Sequence, residues 1–209
     1  MKLKLKENLK KEKNRVSIGF ILIIFGLILI LAKSLLNEID IRGEEQKVHD
    51  FIEVQEVGSR ETYNEYIDNS YTNAAEENKE EYIAVIEIPK INLKKGLYSK
   101  TSILNDVNKN IQILNDSDLP DTQNGNVILA AHSGTGKTAY FNNLIQLEQG
   151  DVVYIYYNKK KYVYEVDNIY EIDKTGKMEL ESYSSSILIL ITCNQNDKTK
   201  QIVFICKKQ

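Results

Sequence analysis

The sequence predicts a mostly β protein, a closed barrel of about seven or eight strands with one or two short helices, preceded by a transmembrane helix. Residues 16–36 form one long apolar run, and from residue 82 onward short runs rich in Val, Ile and Tyr alternate with turn residues. A chain of 209 residues has room for one ordinary domain and an appendage. Its 27% charged and 42% hydrophobic residues are typical of a globular protein.

The amino-terminal end has the pattern of a membrane anchor. Its first fifteen residues carry seven basic and two acidic side chains, and residues 16–32 contain no charge. About twenty apolar residues of helix span a bilayer, and a basic flank stays in the cytoplasm. We therefore predict a cytoplasmic tail over residues 1–15, a single-pass anchor over 16–36 and an extracellular remainder. A cleaved signal peptide is the competing interpretation, but this run is longer than the usual apolar core of such peptides.

Residues 37–80 are predicted to form an extracellular stalk, a helix followed by a flexible polar segment over 58–79. His49 lies in this stalk close to Lys47 and Asp50, and we expect its side chain to be exposed and without a catalytic role. The formal net charge of −3 is the sum of a basic amino-terminal tail and a strongly acidic remainder. An acidic body offers no phosphate-binding surface, which argues against nucleic acid as a partner.

Residues 81–209 are predicted to form the barrel domain. Pro89 closes its first strand, and two helical intervals are expected near residues 102–107 and 138–147. Short strands bounded by turn residues are typical of an antiparallel barrel. The predicted strands share a high content of β-branched and aromatic residues and cover 82–88, 91–97, 126–131, 151–157, 162–172, 187–192 and 201–207.

The barrel domain contains one His and two Cys, so its candidates for nucleophilic chemistry are few. His132 follows the apolar strand 126–131, at a point where a strand opens into a loop, and imidazole is the side chain best suited to acid–base work near neutral pH. Cys193 likewise ends a strand. From the residues alone, one alternative remains open at each position: His132 as a structural histidine, and Cys193 as a buried structural cysteine.

The spacing around the last hairpin predicts that the two cysteines are not joined. Its centre near residues 196–197 places Cys193 opposite Lys200 or Gln201, and Cys206 opposite residue 187 or 188. At about 3.3 Å per residue the two sulfurs are then roughly 17–20 Å apart, beyond the reach of a disulfide. We expect Cys193 to be a free thiol and Cys206 to be a buried strand residue.

Several segments, in this order along the chain, resemble the sortase family. They comprise the opening strand, the segment before the His strand, the His motif, the two pieces that follow it and the Thr-Cys motif, at residues 86–93, 117–120, 125–132, 140–144 with 150–151, and 190–193. The similarity covers about residue 82 to the carboxyl terminus. It implies a sortase-like barrel with Cys193 as nucleophile and His132 as its catalytic partner, and a loop over residues 173–186 beside the substrate groove.

The resemblance also implies a function. A sortase-type transpeptidase cleaves a carboxy-terminal sorting signal, commonly LPXTG-like, through a thioester on Cys193. It passes the acyl group to an amine of the cell wall or of another surface protein. The expected partners are secreted proteins that bear a sorting signal, and an amine acceptor in a peptidoglycan precursor or a pilin-like protein. The expected location is the cell membrane, with the catalytic domain outside.

One position departs from the family's pattern. Sortases place an Arg on the strand after the Cys, whereas the predicted barrel domain contains no Arg. Gln201 occupies the expected place and Lys200 precedes it, so these two are the candidates for donating a hydrogen bond to an oxyanion, although neither offers a guanidinium's planar fork. A sortase-fold binding or scaffold module with impaired catalysis is therefore the alternative function.

No cofactor is expected from the sequence. Residues 133–138 look like the end of a phosphate-binding loop, but Ala131 stands where that pattern needs Gly. One His and two distant Cys supply no metal-ligand cluster in the domain. Some members of the resembled family bind calcium, for which Glu87, Asp106 and Asp116 are conceivable ligands, and nothing in the sequence indicates that these three converge.

Overall fold

The computed structural model describes residues 2–60, 81–175 and 185–209. The first of these stretches is one helix, α1 (Lys2–Arg60), whose side chains are described for residues 23–54 except 37 and 40. The chain divides into two compact units, Met1–Lys47 and Val48–Gln209.

In the first unit, α1 presents a run of apolar side chains to the surroundings. From Ile23 to Leu36 the large apolar residues are all more than half exposed. Within the residues that the structure describes, no helical segment combines the length and the apolar character that a membrane crossing requires. The side chains at positions 16–22 of the predicted anchor lie outside the described residues.

The predicted stalk is helical over its first part, as expected, because α1 continues to Arg60. Of the polar segment predicted over 58–79, residues 58–60 belong to this helix and the rest lies outside the described residues. In the second unit, Val48 and Ile52 of α1 are buried against Val85 and Tyr156 of the barrel. The side chain of His49 is 70% exposed, as predicted.

The rest of the second unit is built on one eight-stranded sheet. Its strands are β1 (Ala84–Ile88), β2 (Leu93–Leu97), β3 (Gln112–Ile113), β4 (Asn126–Ala130), β5 (Val152–Tyr157), β6 (Lys160–Asp173), β7 (Ile187–Cys193) and β8 (Lys200–Lys208). They follow the order β2-β1-β5-β6-β8-β7-β4-β3, so the sheet curls into a nearly closed barrel whose edge strands are β2 and β3. Neighbouring strands are antiparallel except β4 and β7, which run parallel.

The predicted strands are confirmed, and each of the seven corresponds to one observed strand. The eighth, β3, was not predicted because two residues are too few to show an alternation of apolar and polar side chains. The predicted helix over residues 102–107 is wrong. Hydrogen bonds from the backbone of Leu104 to Ser102 and from that of Asn108 to Asp106 hold turns there instead.

The second predicted helical interval, 138–147, contains only a 3-10 helix, Leu144–Gln146. Another 3-10 helix, Pro89–Ile91, follows β1 directly and begins with proline, whose restricted φ suits a first helical position. The connections between strands in the described part of the barrel are therefore mainly turns.

Strand β7 is buried on both faces, which explains its continuous apolar sequence. Leu188 and Leu190 point into the barrel interior, while Ile187, Ile189 and Ile191 point to the other face. We call that second set, together with its neighbours on β4 and β8, the outer apolar face. It comprises Ile128, Ile187, Ile189, Ile191, Val203 and Ile205. Because side chains alternate along a strand, Cys193 is directed to the same side as this face.

Substitution of Leu190 tests how much the packing of the barrel interior contributes to the stability of the protein. The side chain of Leu190 is fully buried, so Leu190→Ala removes apolar contacts and leaves a cavity, and we expect a loss of about 2–5 kcal/mol in the free energy of unfolding. Urea denaturation followed by circular dichroism measures this loss. The matched control is Ile103→Ala, where the side chain is 72% exposed and the change should stay within about 0.5 kcal/mol. Equal losses in both variants would contradict the assigned core.

Candidate active site

The site is built where β4 and β7 end side by side. These strands are parallel, with Ala130 paired to Ile191, so their carboxyl ends leave the sheet at the same edge. Beyond the last pair, the amide of Ala131 donates to the carbonyl of Ile191 at 3.3 Å, and Thr192 Oγ1 donates to the carbonyl of Ala131 at 3.0 Å. The two chains therefore remain in contact as they enter their loops.

His132 and Cys193 each lie two residues beyond the last pair of this ladder, Ala130 and Ile191. Ser133 Oγ donates a hydrogen bond of 2.6 Å to the carbonyl of Cys193, which holds the backbone after His132 against the backbone of Cys193. Continuing the register by two residues from Ala130 and Ile191 pairs His132 with Cys193. The structure thus brings the two residues to adjacent strand ends, on the side of the outer apolar face.

The hairpin of β7 and β8 has the predicted register. Cys193 lies opposite Gln201 and Cys206 opposite Leu188, and both cysteines are free thiols, as expected. Cys206 is buried in the barrel interior, and this burial raises the pKa of its thiol to about 12. Cys193 is partly exposed at the barrel edge. Since only a thiolate is nucleophilic, Cys193 is the cysteine available for chemistry.

His132 is held by a short chain of polar side chains from the loop before β3. Its Nε2 lies 3.2 Å from Asn108 Oδ1, and Asn108 Nδ2 donates to Asp106 Oδ1 at 3.0 Å. The backbone amide of Asn108 also donates to Asp106 Oδ1, at 2.8 Å. This backbone bond is the main reason that the pKa of Asp106 lies below its ordinary value.

The Asp106 carboxylate determines which way this chain of bonds runs. An ionised carboxylate only accepts hydrogen bonds, so the NH₂ group of Asn108 faces Asp106 and its oxygen faces His132. That oxygen accepts, and Nε2 of His132 must therefore carry the proton. In the neutral imidazole the other nitrogen, Nδ1, is left as the proton acceptor.

A lysine lies against the sulfur. Lys174 follows β6 directly, and its Nζ is 3.7 Å from Cys193 Sγ. The backbone amide of Lys174 donates to the carbonyl of Thr199 at 2.7 Å, which holds the residue beside the turn between β7 and β8. The sulfur therefore has a cationic neighbour that comes from a different strand from Gln201.

The two residues considered for the place of the family's arginine lie differently. Gln201 is directly opposite Cys193, so its side chain leaves the same face of the sheet. Lys200 is one residue earlier and points to the other face, where its Nζ lies 3.4 Å from Glu171 Oε2. Glu171 also accepts a 2.6 Å hydrogen bond from Asn194. Of the two candidates, Gln201 is the one directed towards the Cys193 side.

A small cavity of about 180 Å³ opens beside Cys193, between the turn after β7 and the segment that leads to the second 3-10 helix. Its lining includes Ser133, Asn142 and Gln195. Gln195 Nε2 donates to both the carbonyl and Oδ1 of Asn142, at 3.0 Å each, so the two walls of the cavity are tied together. A cavity of this size holds one side chain.

Two of the three carboxylates considered for calcium, those of Asp106 and Glu87, accept hydrogen bonds from protein donors. Asp106 accepts from Asn108, and Glu87 accepts a 2.7 Å hydrogen bond from Tyr156. Among the described residues, the ligand atoms of three potential metal ligands approach one another only at the exposed side chains of His49, Asp50 and Glu53. The segment resembling a phosphate-binding loop, 133–138, leads into turns, and the amide of Gly134 donates to Asn142.

Two residues at the site, Asn108 and Lys174, were missed by the sequence analysis. Asn108 was overlooked because it follows an interval predicted to be helical, where nothing connects it to a histidine 24 positions away. Lys174 is one of many lysines, and only the pairing of β6 with β8 brings it near Cys193. The loop predicted beside the groove, 173–186, includes this lysine, and its residues 176–184 lie outside the described part of the chain.

The fold and this edge together define a β-barrel protein with a partly exposed cysteine and a histidine at the ends of two parallel strands. Residues 86–209 match the family model for the Sortase domain, which covers more than half of the chain. The chain belongs to the sortase family.

A curated relative, Sortase A of Bacillus anthracis, is 31% identical over 80 residues. This match covers 38% of the present chain and 38% of that relative's length. Sortase C1 of Streptococcus suis is a similar solved structure, with 28% identity, a TM-score of 0.55, and coverage of 63% of this chain and 75% of that one. A Sortase D5 transpeptidase of Clostridium perfringens shares the fold at 21% identity and a TM-score of 0.56, covering 79% and 98%.

The tautomer of His132 can be tested directly. We expect ¹⁵N NMR of the imidazole at neutral pH to show His132 protonated on Nε2, because Asn108 accepts there. Asn108→Ala removes this acceptor and should give a mixture of both tautomers. The exposed His49 serves as an internal reference that the substitution leaves unchanged. Protonation on Nδ1 in the wild-type chain would contradict the assigned direction of the hydrogen bonds.

Proposed function

We propose that this chain is a sortase-type cysteine transpeptidase, which cleaves an LPXTG-like carboxy-terminal sorting signal and transfers the acyl group to an amine. The observation that carries this proposal is the parallel pairing of β4 and β7, continued by the Ser133 hydrogen bond to Cys193. It holds the backbones of His132 and Cys193 at neighbouring strand ends, and this supports the pairing of a thiol with an imidazole, which is the minimum equipment of a cysteine acyltransferase.

In the proposed reaction, His132 takes the proton of the Cys193 thiol, and the resulting thiolate attacks the backbone carbonyl of the sorting signal. The new S–C bond forms as the carbonyl electron pair moves to oxygen. When the oxyanion collapses, the C–N bond breaks and the leaving amine takes a proton from His132. A second amine then attacks the thioester, gives a proton back to the imidazole and releases the thiolate. His132 thus acts as both acid and base, and Asn108 keeps its ring in place.

The oxyanion requires a hydrogen-bond donor near Cys193. Gln201 is the proposed donor, because its register directs it to the same face as the sulfur. An amide is a weaker donor than guanidinium, since it carries no charge. This weakness supports the second candidate function, a sortase-fold binding or scaffold module with impaired catalysis. That module would bind a sorting peptide without forming a covalent adduct.

The cavity beside Cys193 is a suitable place for the second amine. It touches the sulfur-bearing residue, and Asn142 and Gln195 contribute neutral amides to its wall. We propose that the acceptor, an amine of a peptidoglycan precursor or of a pilin-like protein, enters here. The donors of the acyl group would be secreted proteins that carry the sorting signal.

We further propose that residues 16–36 anchor the protein as a single-pass helix, with residues 1–15 in the cytoplasm, a stalk over 37–80 and the catalytic domain outside the cell. The exposed apolar side chains of α1 between Ile23 and Leu36 support this location, because water is a poor environment for such a run. The basic residues before them support the orientation.

The catalytic assignment predicts which cysteine forms a covalent bond. A sorting peptide with a thiol-directed group should label the wild-type chain once, at Cys193, and mass spectrometry of digested protein identifies the site. Cys193→Ala should abolish both labelling and transpeptidation, and His132→Ala should lower turnover by about 10²-fold or more. Cys206→Ala is the matched control and should still be labelled, because the raised pKa of its buried thiol keeps Cys206 protonated.

Unchanged turnover in both Cys193→Ala and His132→Ala would remove the enzymatic assignment. Peptide binding by the wild-type chain without any adduct would instead favour the binding module.

The anchor proposal predicts that the full-length chain stays with membranes after alkaline carbonate extraction. A chain lacking residues 1–36 should appear in the supernatant, because the apolar helix supplies the membrane affinity. Replacement of Ile24, Leu27 and Leu31 by Gln in the full-length chain is the matched variant. Extraction of the wild-type chain by carbonate would contradict a spanning helix.

A further inference from the structure

Lys174 makes a contact that the proposed reaction has not used. Its Nζ lies 3.7 Å from Cys193 Sγ, within the range of a hydrogen bond to sulfur. A lysine ammonium has three donors and no acceptor, so the sulfur is the acceptor. The bond between the Lys174 amide and the Thr199 carbonyl holds the backbone at this position, which leaves only the side chain to move.

Several charged or titratable groups belong to the elements around this contact, including Asp173, which ends β6 directly before Lys174. Glu171 on β6 is engaged by Asn194 and lies near Lys200. Asp197 in the turn after β7 accepts from both the amide and the hydroxyl of Thr199, which lowers its pKa. His132 follows β4 at the neighbouring strand end, and its Nε2 is bound to Asn108. The carboxylates of Glu171 and Asp197 therefore have donors of their own.

We propose that Lys174 is a further catalytic residue, which uses its ammonium to stabilise the thiolate of Cys193. This assignment rests on the proposed role of Cys193 as nucleophile. The thiol proton passes to Nδ1 of His132, while Nε2 stays bound to Asn108 and Lys174 stays protonated throughout. A positive charge beside the sulfur favours the thiolate over the thiol.

The same cation can follow the charge during acyl transfer. As the S–C bond forms, the negative charge leaves sulfur and appears on the carbonyl oxygen. The flexible stem of lysine lets the ammonium move over this short distance. The barrel domain contains no Arg, so Lys174 supplies from β6 the positive charge that sortases otherwise carry on β8. Gln201 then needs to contribute only a neutral hydrogen bond.

The experiment measures the reactivity of the thiol without any peptide. The full-length chain in detergent is treated with iodoacetamide between pH 5 and 9, and the alkylation rate of Cys193 is followed by mass spectrometry. Two unit charges about 4 Å apart at an exposed site change the thiolate fraction by about five-fold, and the lower nucleophilicity of a stabilised thiolate reduces the effect on the rate to about two-fold. Lys174→Met should therefore slow alkylation at pH 7 about two-fold.

Lys174→Arg keeps the charge and should react at close to the wild-type rate. The matched control is Lys198→Met, which removes the same charge from an exposed position in the nearby turn and should leave the rate unchanged. Raising the salt to 1 M should slow the wild-type chain towards the Lys174→Met rate, because salt screens an exposed charge pair. This last comparison needs no variant, so it decides the question even if Lys174→Met does not fold.

Equal rates for the wild-type chain and Lys174→Met, or no effect of salt on the wild-type rate, would overturn the role of Lys174. An equal loss in Lys198→Met would overturn it too, since overall surface charge would then explain the effect. Alkylation is independent of transpeptidation. If the alkylation rate depends on Lys174 but the chain transfers no acyl group, the proposed function is rejected and the cation–thiolate contact is kept. If the chain transfers acyl groups but the alkylation rate does not depend on Lys174, only the role of the contact is rejected.

Discussion

The parallel pairing of β4 with β7 is the constraint on which the site depends. Antiparallel neighbours would place the ends of two successive strands at opposite edges of the sheet, whereas this pair brings both carboxyl ends to the same edge. His132, two residues after β4, and Cys193, the last residue of β7, are 61 positions apart in the chain, yet their backbones lie at neighbouring strand ends. The Ser133 hydroxyl extends the contact past the last pair of the ladder.

Two consequences follow from the alternation of side chains along β7. The strand fills the barrel interior with Leu188 and Leu190, and its isoleucines form the outer apolar face. A slip of the register by one residue would turn Cys193 into the barrel and expose the leucines, so packing and site position are set by the same contacts. Burial on both faces is the physical reason that an exposed thiol can be held at a defined place on this edge.

The site distributes its polar groups over three separate parts of the chain. The loop before β3 contributes the Asp106 carboxylate and the Asn108 amide that orient His132. The end of β6 contributes the Lys174 ammonium, and β8 contributes Gln201 opposite the sulfur. The arginine of other sortases combines a positive charge and hydrogen-bond donors in one group on the strand after the Cys. In this chain the charge belongs to Lys174 and the neutral donor belongs to Gln201, on different strands.

The sequence by itself determined most of the barrel and the identity of the candidate pair. Seven strands could be predicted because a run of β-branched and aromatic residues between turns is a local property of the sequence. The barrel domain has one His and one Cys at a strand end, so few other catalytic pairs were available. The sequence also limited the register of the last hairpin to two adjacent alternatives, since a tight turn connects neighbours in the chain. These features need only contacts that are short in sequence.

The tertiary structure decided what depends on distant contacts. The polar side chains of Ser102 and Asp106 bond to the backbone and override the predicted helix, which local composition did not reveal. Asn108 reaches His132, and Lys174 reaches Cys193, only because strands far apart in the chain are paired. Such pairings are stabilised by the burial of apolar side chains from all the strands of the barrel, and no short stretch of sequence contains this information.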